Sequence, residues 1–172
     1  MNGVRVAALG GGTGLPVVLR ALKGRAGAIT AIVTVTDDGG SSGRLRGELG
    51  ILPPGDIRNC LVALADVEPL MERLFQHRFR QGSLAGHAFG NLFDAAPTEM
   101  LGDFQAAVEA ASRVLRVHGQ VLPSTLANVQ LGAVLADGRV VRGETAVVAC
   151  RGRIRRVFLE PAECEPVPAV LD

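Results

Sequence analysis

The chain has 172 residues, of which 48% are hydrophobic and 20% are charged, and its formal net charge is +1. This composition fits one folded domain with a real core, excludes a disordered chain, and gives no overall positive field of the kind a nucleic-acid-binding protein uses. The scattered cysteines Cys60, Cys150 and Cys164 argue against a zinc site, and no apolar run is long enough for membrane insertion, so we expect a cytoplasmic protein.

The first 35 residues have the pattern of a β-α-β unit. A mostly apolar run at residues 4–9 predicts a strand, and the sequence GGGTG follows it. The next apolar residues recur at the spacing of one helix face: Leu15, Val18, Leu19 and Leu22. Residues 29–35 are rich in β-branched side chains and predict a second strand. This order implies a parallel sheet with a right-handed crossover.

The glycine turn predicts a phosphate site. Glycines let the backbone approach a bound group, and the helix behind them offers unpaired N–H donors. The residues expected to bind phosphate are Gly11, Gly12, Thr13 and Gly14. The dinucleotide fingerprint would need glycine where the chain has Leu15, which disfavours an NAD-dependent oxidoreductase. The alternative is a tight strand-to-helix turn without a ligand.

A polar segment, TDDGGSSGRLR, follows the second strand and is predicted to be a loop at the same sheet edge. Asp37 and Asp38 are suited to accept hydrogen bonds from sugar hydroxyls or to hold Mg²⁺. Ser41, Ser42 and Arg44 offer donors for phosphate oxygens. The alternative is a mobile surface loop whose acids and arginines pair with each other.

Two further segments supply candidate ligand-binding residues. In PPGDIRN, Asp56 is expected to cap a helix, and Arg58 and Asn59 fall in its first turn, where a cation is unfavourable unless an anion binds. The alternative for Arg58 is an internal salt bridge. In GHAFGN, His87 and Asn91 are four residues apart, on one face if helical, and His87 is a candidate proton donor or phosphate contact.

The rest of the chain predicts helices and then strands. One helix carries residues 70–75 and a longer one residues 104–115. After about residue 118, VQLGAVL, the turn ADGR and RVVRG predict a hairpin, followed by the strand candidates TAVVAC and IRRVFLEP. We therefore expect an α/β, Rossmann-like three-layer fold with a mostly parallel sheet and a β-rich hairpin region. Residues 1–172 are expected to form a single domain.

Four segments together resemble the gluconeogenesis-factor family, within the 2-phospho-L-lactate transferase (CofD-like) superfamily: GGGTGLPVVLRALK, TVTDDGGSSGRLRGELGILPPGDIRNCLVALAD, LFQHRF and GHAFGNL. The resemblance implies a Rossmann-like fold, a cytoplasmic location, binding of nucleotide sugars such as UDP-N-acetylglucosamine, and a role in gluconeogenic growth and cell shape. In the transferase branch a nucleotide-activated phospholactate reacts with a deazaflavin alcohol, with Mg²⁺. The family chain normally runs on for about as long again, so this chain resembles its N-terminal half and the domain is expected to be incomplete at its C-terminus.

The leading hypothesis is a nucleotide-sugar-binding protein whose occupancy is read by a regulatory protein partner or a homo-oligomer. The main alternative is a Mg²⁺-dependent transferase, for which Asp37, Asp38 and His87 are the catalytic candidates and Mg²⁺ the cofactor. The sequence leaves open whether the protein is an enzyme.

Overall fold

The computed structural model describes residues 3–67 and 69–171, which form a mixed α/β structure. Its strands are β1 (Arg5–Gly10), β2 (Ala28–Val33), β3 (Gln120–Pro123), β4 (Gln130–Leu135), β5 (Val140–Arg142) and β6 (Ile154–Glu160). Its helices are α1 (Gly14–Leu22), α2 (Gly40–Leu49), α3 (Gly55–Leu64), α4 (Pro69–Gln76), α5 (Phe89–Leu101), α6 (Phe104–Val114) and α7 (Glu144–Ala149), with a short 3₁₀ helix at Pro168–Val170. The α/β class is confirmed.

The first three strands form a parallel sheet in the order β1-β2-β3. Because α1 joins β1 to β2, the predicted β-α-β unit is present. Gly10 at the end of β1 pairs with Val33 at the end of β2. The segments that follow these two strands, the glycine turn and the acidic segment, therefore leave the sheet side by side.

One main core lies between this sheet and the helices packed on one of its faces. Ile29, Ala31 and Val33 alternate along β2 and are buried in the same cluster as Leu19 of α1 and Leu61 of α3. The alternation places these β2 side chains on a single face. The helix α3 is buried on nearly all sides, so it fixes the position of the residues in its first turn.

The expected buried face of α1 is wrong at one position. Leu15 and Leu19 are buried, but Val18 is 49% exposed. Among the described elements the main contacts of α1 are with β1, β2 and α3, which leave the Val18 side of the helix exposed.

The opposite face of the parallel sheet is covered only in part. Leu9 of β1, Ile32 of β2 and Leu122 of β3 share that face because they are register partners. Ile32 and Leu122 are buried, whereas Leu9 is 73% exposed. Within the described ranges, the outer edge of β1 pairs with no other strand.

The segment predicted to be a loop after β2 is largely helical, so that prediction is wrong. The helix α2 begins at Gly40, which places Ser41, Ser42 and Arg44 on it. Tertiary contacts override the low helix propensity of glycine here. A Cβ at Gly43 would lie only 2.1 Å from the Asp38 carbonyl oxygen, so glycine allows this helix to pack closely against the chain that precedes it.

The helix α3 begins two residues earlier than predicted. Its N-cap is Pro54, and Asp56 lies in its first turn without capping it. The expectation that Asp56 is the N-cap is therefore wrong. Its carboxylate instead faces the glycine turn after β1.

The region after residue 118 contains the predicted hairpin and one wrong strand. β4 pairs antiparallel with β5, and the turn between them uses Gly138 at φ +88°. The predicted strand IRRVFLEP is β6, which pairs with the other side of β4. The segment TAVVAC is not a strand but lies mainly in α7, because Asp38 accepts hydrogen bonds from Thr145 and so caps a short apolar run that could fold either way.

Across residues 3–67 and 69–171, each helix is too short or too polar to span a lipid bilayer.

Candidate functional site

Three segments converge around the first turn of α3. The Asn59 side chain donates a hydrogen bond to the Gly12 carbonyl oxygen, at 3.0 Å. A Cβ at Gly55 would lie 2.3 Å from the Ser42 Oγ atom and 3.0 Å from an Asp37 oxygen. The glycine turn, the start of α2 and the start of α3 therefore meet at the carboxyl edge of the parallel sheet, where ligands bind in such folds.

These segments and α5 enclose a cleft of about 290 Å³. Six of its lining residues were predicted as ligand-binding from the sequence: Asp37, Ser41, Ser42, Arg58, Asn59 and Asn91. The remaining lining residues are Gly39, Gly40, Gly55, Asp56 and Arg78. The cleft surface is mostly polar and carries two arginines and two aspartates.

The two serines of α2 are held by the segment that enters α5. Ser41 Oγ lies 3.1 Å from His87 Nδ1 and accepts a hydrogen bond from the Ala88 N–H group. The Asn91 side chain donates to Ser42 Oγ, at 3.3 Å. All four side chains are at least nine-tenths buried. These hydrogen bonds hold the start of α2 against the start of α5. The hydroxyl hydrogens of Ser41 and Ser42 can still rotate about their C–O bonds.

His87 does not take the predicted position. It precedes α5, so it does not share a helix face with Asn91, and it does not line the cleft. Burial lowers the pKa of its imidazole, and the nearby Arg44 lowers it further. The contact between this imidazole and the buried Ser41 hydroxyl helps to position the start of α2.

Arg58 is the central cation of the cleft. It is 7% exposed, and its Nη2 atom donates to the Asn59 side chain at 2.7 Å. Its Nε atom is buried without a hydrogen-bond partner. Among the described residues no carboxylate forms an ion pair with it, so the alternative of an internal salt bridge to Asp37, Asp38 or Asp56 is not observed. A buried cation near the positive end of α3 favours an incoming anion.

The aspartate pair Asp37 and Asp38 does not point into one site. Asp37 lines the cleft and accepts a hydrogen bond from the Gly39 N–H group. Asp38 turns away and accepts from both the N–H and the hydroxyl of Thr145, at 2.9 and 2.7 Å. Burial alone would raise the pKa of Asp38, but these hydrogen bonds hold it below its ordinary value. The structure thus places Asp38 as the cap of α7, outside the cleft lining.

Asp56, rather than Asp38, is the second aspartate that lines the cleft with Asp37. Its carboxylate lies against the glycine turn, where a Cβ at Gly12 would be 2.1 Å from an Asp56 oxygen, and it receives a backbone hydrogen bond from Gly12. Burial and, to a smaller extent, the negative charge of Asp37 raise the pKa of Asp56 to about 6. The two carboxylates therefore repel each other across the cleft, and a cation between them would relieve that repulsion.

Mg²⁺, the metal that the resemblance implies, fits this pair in part. Mg²⁺ commonly takes one or two carboxylates, with phosphate oxygens and waters completing its shell. Asp37 and Asp56 meet that requirement, and Asp38 does not. In the described part of the chain no cluster of three or more His, Cys, Asp or Glu side chains is arranged to hold a metal without a ligand.

Several predicted residues lie outside the cleft lining. Arg44 is exposed and donates to the Ala85 carbonyl oxygen, at 2.9 Å. None of the four predicted residues of the glycine turn lines the cleft: Gly11, Gly12, Thr13 and Gly14. Gly12 borders the cleft through Asn59 and Asp56, and Gly11 borders it through Asp56. The turn faces the Asp56 carboxylate, which an anionic ligand would have to displace, neutralise or bridge.

Sequence reasoning missed three residues of this region. Asp56 was interpreted as a helix cap, and Arg78, which lines the cleft, was not singled out. Asp94, on α5 behind the cleft, was also missed, because an aspartate in a helix is usually expected to lie on the surface. The sequence offered one signal for this region: Arg78 is a charged residue between the apolar Phe75 and Phe79 in LFQHRF, a pattern that could have marked it as a candidate ligand-binding residue.

A larger hollow of about 660 Å³ lies elsewhere, between the ends of α2 and α5 and the start of α6. It shares no lining residue with the cleft. Its acids Glu48, Glu99 and Asp103 lie at the rim of an apolar floor, and no predicted ligand-binding residue reaches it.

Comparisons with known proteins identify sequence relatives of this chain. A family model described as 2-phospho-L-lactate transferase CofD matches residues 6–172. The gluconeogenesis factor of Bacillus subtilis (strain 168) is 58% identical over 169 residues, which are 98% of this chain and 53% of that protein. A putative gluconeogenesis factor of Nostoc sp. (strain PCC 7120) is 55% identical over 171 residues, 99% of this chain and 38% of that protein.

A solved structure has the same fold. A crystal structure of a member of the UPF0052 family from Bacillus halodurans superposes with a TM-score of 0.96 at 51% identity, covering 99% of this chain and 55% of that one. The chain thus spans about half the length of the two Bacillus proteins it matches.

Proposed function

The chain belongs to the family described as 2-phospho-L-lactate transferase CofD, and from this premise we propose that it binds a nucleotide sugar such as UDP-N-acetylglucosamine through its diphosphate. The resemblance to gluconeogenesis factors is confirmed by relatives of that name at 58% and 55% identity. By the same proposal, the occupied protein acts in the cytoplasm and links carbon metabolism to cell shape through a regulatory partner or a homo-oligomer.

The observation that carries this proposal is the buried Arg58 guanidinium, which faces the cleft without a carboxylate partner. A buried unpaired charge costs several kcal/mol unless an opposite charge reaches it. Arg78 adds a second cation at the cleft, and the Asn59 side chain adds an amide. A diphosphate is the ligand group that matches two guanidinium forks and a helix N-terminus.

The size of the cleft and the strength of its donors are consistent with this ligand. A volume of about 290 Å³ is near the lower end of small-molecule pockets, so it suits a diphosphate and an adjoining sugar rather than a whole nucleotide sugar. Each charge-assisted hydrogen bond contributes roughly 1.5–3 kcal/mol. Three or four such bonds reach the roughly 8 kcal/mol that micromolar binding needs.

Isothermal titration calorimetry with UDP-N-acetylglucosamine tests the proposal. We expect Arg58→Gln to weaken binding roughly tenfold or more, because it removes at least one charge-assisted bond. Arg44→Gln is the matched control: it removes an arginine that is exposed and outside the cleft lining, and we expect unchanged affinity. If the unmodified protein gives no binding heat, or if both variants bind equally well, the proposal is wrong.

The second candidate function is a Mg²⁺-dependent transferase, which the Asp37–Asp56 pair favours. In this case Asp37 and Asp56 would hold Mg²⁺, which would neutralise negative charge on the bound diphosphate. Arg58 and the α3 N-terminus would orient the same diphosphate. Mg²⁺ should then tighten diphosphate binding, and Asp56→Asn should remove that gain while Asp38→Asn retains it. Binding that EDTA leaves unchanged contradicts this alternative.

A further inference from the structure

Asp94 on α5 is a buried carboxyl group directly behind the cleft. Its side chain is 4% exposed, and neither of its oxygens has a hydrogen-bond partner among the described residues. Buried polar groups are nearly always hydrogen-bonded, so an unpartnered carboxyl group needs a physical explanation.

The Arg58 side chain lies next to Asp94. Its stem crosses α5 at Gly90, where a Cβ would be only 2.5 Å from Arg58 Cδ. Gly90 and Asp94 are one helical turn apart and therefore lie on the same face of α5. Of all carboxylates, Asp94 acts most strongly on the Arg58 charge. A buried Nε–H donor and two buried carboxyl oxygens, all without partners, thus occupy one region.

We propose that Asp94 is a positioning residue for Arg58: a carboxyl oxygen accepts a hydrogen bond from Nε–H through one bridging water and so holds the Nη atoms toward the cleft. The inference rests on the proposed function, since it takes Arg58 to be the residue that binds the diphosphate. Asp94 itself does not touch the ligand.

The protonation state of Asp94 explains why an acid can serve here. Burial raises the pKa of Asp94 to about 8, and the Arg58 charge offsets part of that rise. At neutral pH the carboxyl group is uncharged, and its carbonyl oxygen accepts from Nε–H without cancelling the guanidinium charge. Above about pH 8 the carboxyl group ionises and competes with the ligand for Arg58, so affinity should fall as pH rises.

The other charged groups around α5 for which a pKa shift is resolved do not titrate near pH 8. Among the described residues, Arg58 of α3 is the charge that acts on the pKa of Asp94, whereas Arg78, Asp56 and Asp37 act on the pKa of Arg58. On α2, the charges of Glu48 and Arg44 shift the pKa of His87. None of the charged groups described on α4 or α6 shifts the pKa of Asp94. The pKa of Asp56 is about 6, that of His87 is lowered, and that of Cys60 is raised to about 12.

The first test needs no ligand. Carboxyl ¹³C chemical shifts of aspartate-labelled protein give the pKa of Asp94 in the unmodified chain and in Arg58→Gln. We expect a higher pKa in Arg58→Gln, because the cation that favours the ionised form is gone. An identical pKa in both proteins overturns the pairing, whatever the protein binds.

The second test uses UDP-N-acetylglucosamine as the probe from about pH 7 to about pH 9. Asp94→Asn keeps a carbonyl acceptor, so it should bind like the unmodified protein at pH 7 and lose the decline at higher pH. Asp94→Leu removes the acceptor and should bind roughly tenfold more weakly at every pH. Thr98→Val is the matched control, because Thr98 lies one turn further along α5 and bonds only the Asp94 backbone oxygen.

A double-mutant cycle completes the test. If Asp94 acts through Arg58, Asp94→Leu should have no further effect on affinity in the Arg58→Gln background. Additive losses, or equal weakening by Asp94→Asn and Asp94→Leu, overturn the inference. If the unmodified protein does not bind the probe, the proposed function fails and the ligand-free titration of Asp94 alone decides the pairing.

Discussion

Gly90→Ala is the sharpest perturbation of the cleft that leaves every charged residue in place. A Cβ at this position would lie 2.5 and 2.9 Å from Cδ and Cγ of Arg58, and 2.8 Å from the Phe75 carbonyl oxygen. These separations are too short to persist. Because Phe75 is 1% exposed and its backbone is part of α4, the Arg58 stem is the group that moves.

The magnitude follows from that displacement. Forcing one methyl group into a packed interior costs about 1–3 kcal/mol of folding free energy. Losing one or two charge-assisted bonds from Arg58 to a diphosphate should weaken binding roughly tenfold to a hundredfold. Urea unfolding measures the first effect without a ligand, and calorimetry with UDP-N-acetylglucosamine measures the second.

Gly47→Ala on α2 is the control. No heavy atom lies within 4 Å of a Cβ at this position, and its φ is not positive. The change should therefore stabilise the protein by up to about 1 kcal/mol through helix propensity and leave ligand affinity unchanged. Our placement of Arg58 across α5 would be refuted if Gly90→Ala unfolded and bound like the unmodified chain.

Three further predictions concern the acids. Asp38→Asn should lower the free energy of unfolding by about 1 kcal/mol, because it weakens the cap on Thr145, without changing the Mg²⁺ dependence of ligand binding by calorimetry. Asp56 has a raised pKa, so the folded state retains its proton and the free energy of unfolding should fall as pH rises from about 4 to about 6. Urea unfolding of Asp56→Asn should show a smaller fall over this range. If the free energy of unfolding depended on pH equally in both proteins, this would count against the Asp37–Asp56 repulsion. Asp94 should cause a similar loss of stability that extends to about pH 8. At that pH the free energy of unfolding of Asp94→Asn should exceed that of the unmodified protein by a few kcal/mol. Equal urea unfolding curves would contradict the burial of the Asp94 charge.

The sequence by itself determined the local structure wherever a strong pattern repeats. The β-α-β start, the glycine turn, the buried face of α3 and the β4–β5 hairpin follow from apolar periodicity and from turn residues such as Gly138. These features depend on residues close together in the chain, so a single segment carries the whole signal. The three segments expected at one sheet edge also meet there, because parallel strands end side by side.

Only the tertiary structure decided which side chains enter the cleft. Asp38 and Asp37 are neighbours in the chain, yet Asp38 caps α7 through Thr145, which is 107 residues away. Ser41, in the first turn of α2, is bonded to His87, 46 residues further on. Side-chain direction, burial and the pKa of a carboxyl group depend on such distant neighbours. Local pattern carries no information about them, which is why Asp94 behind Arg58 became visible only in the folded chain.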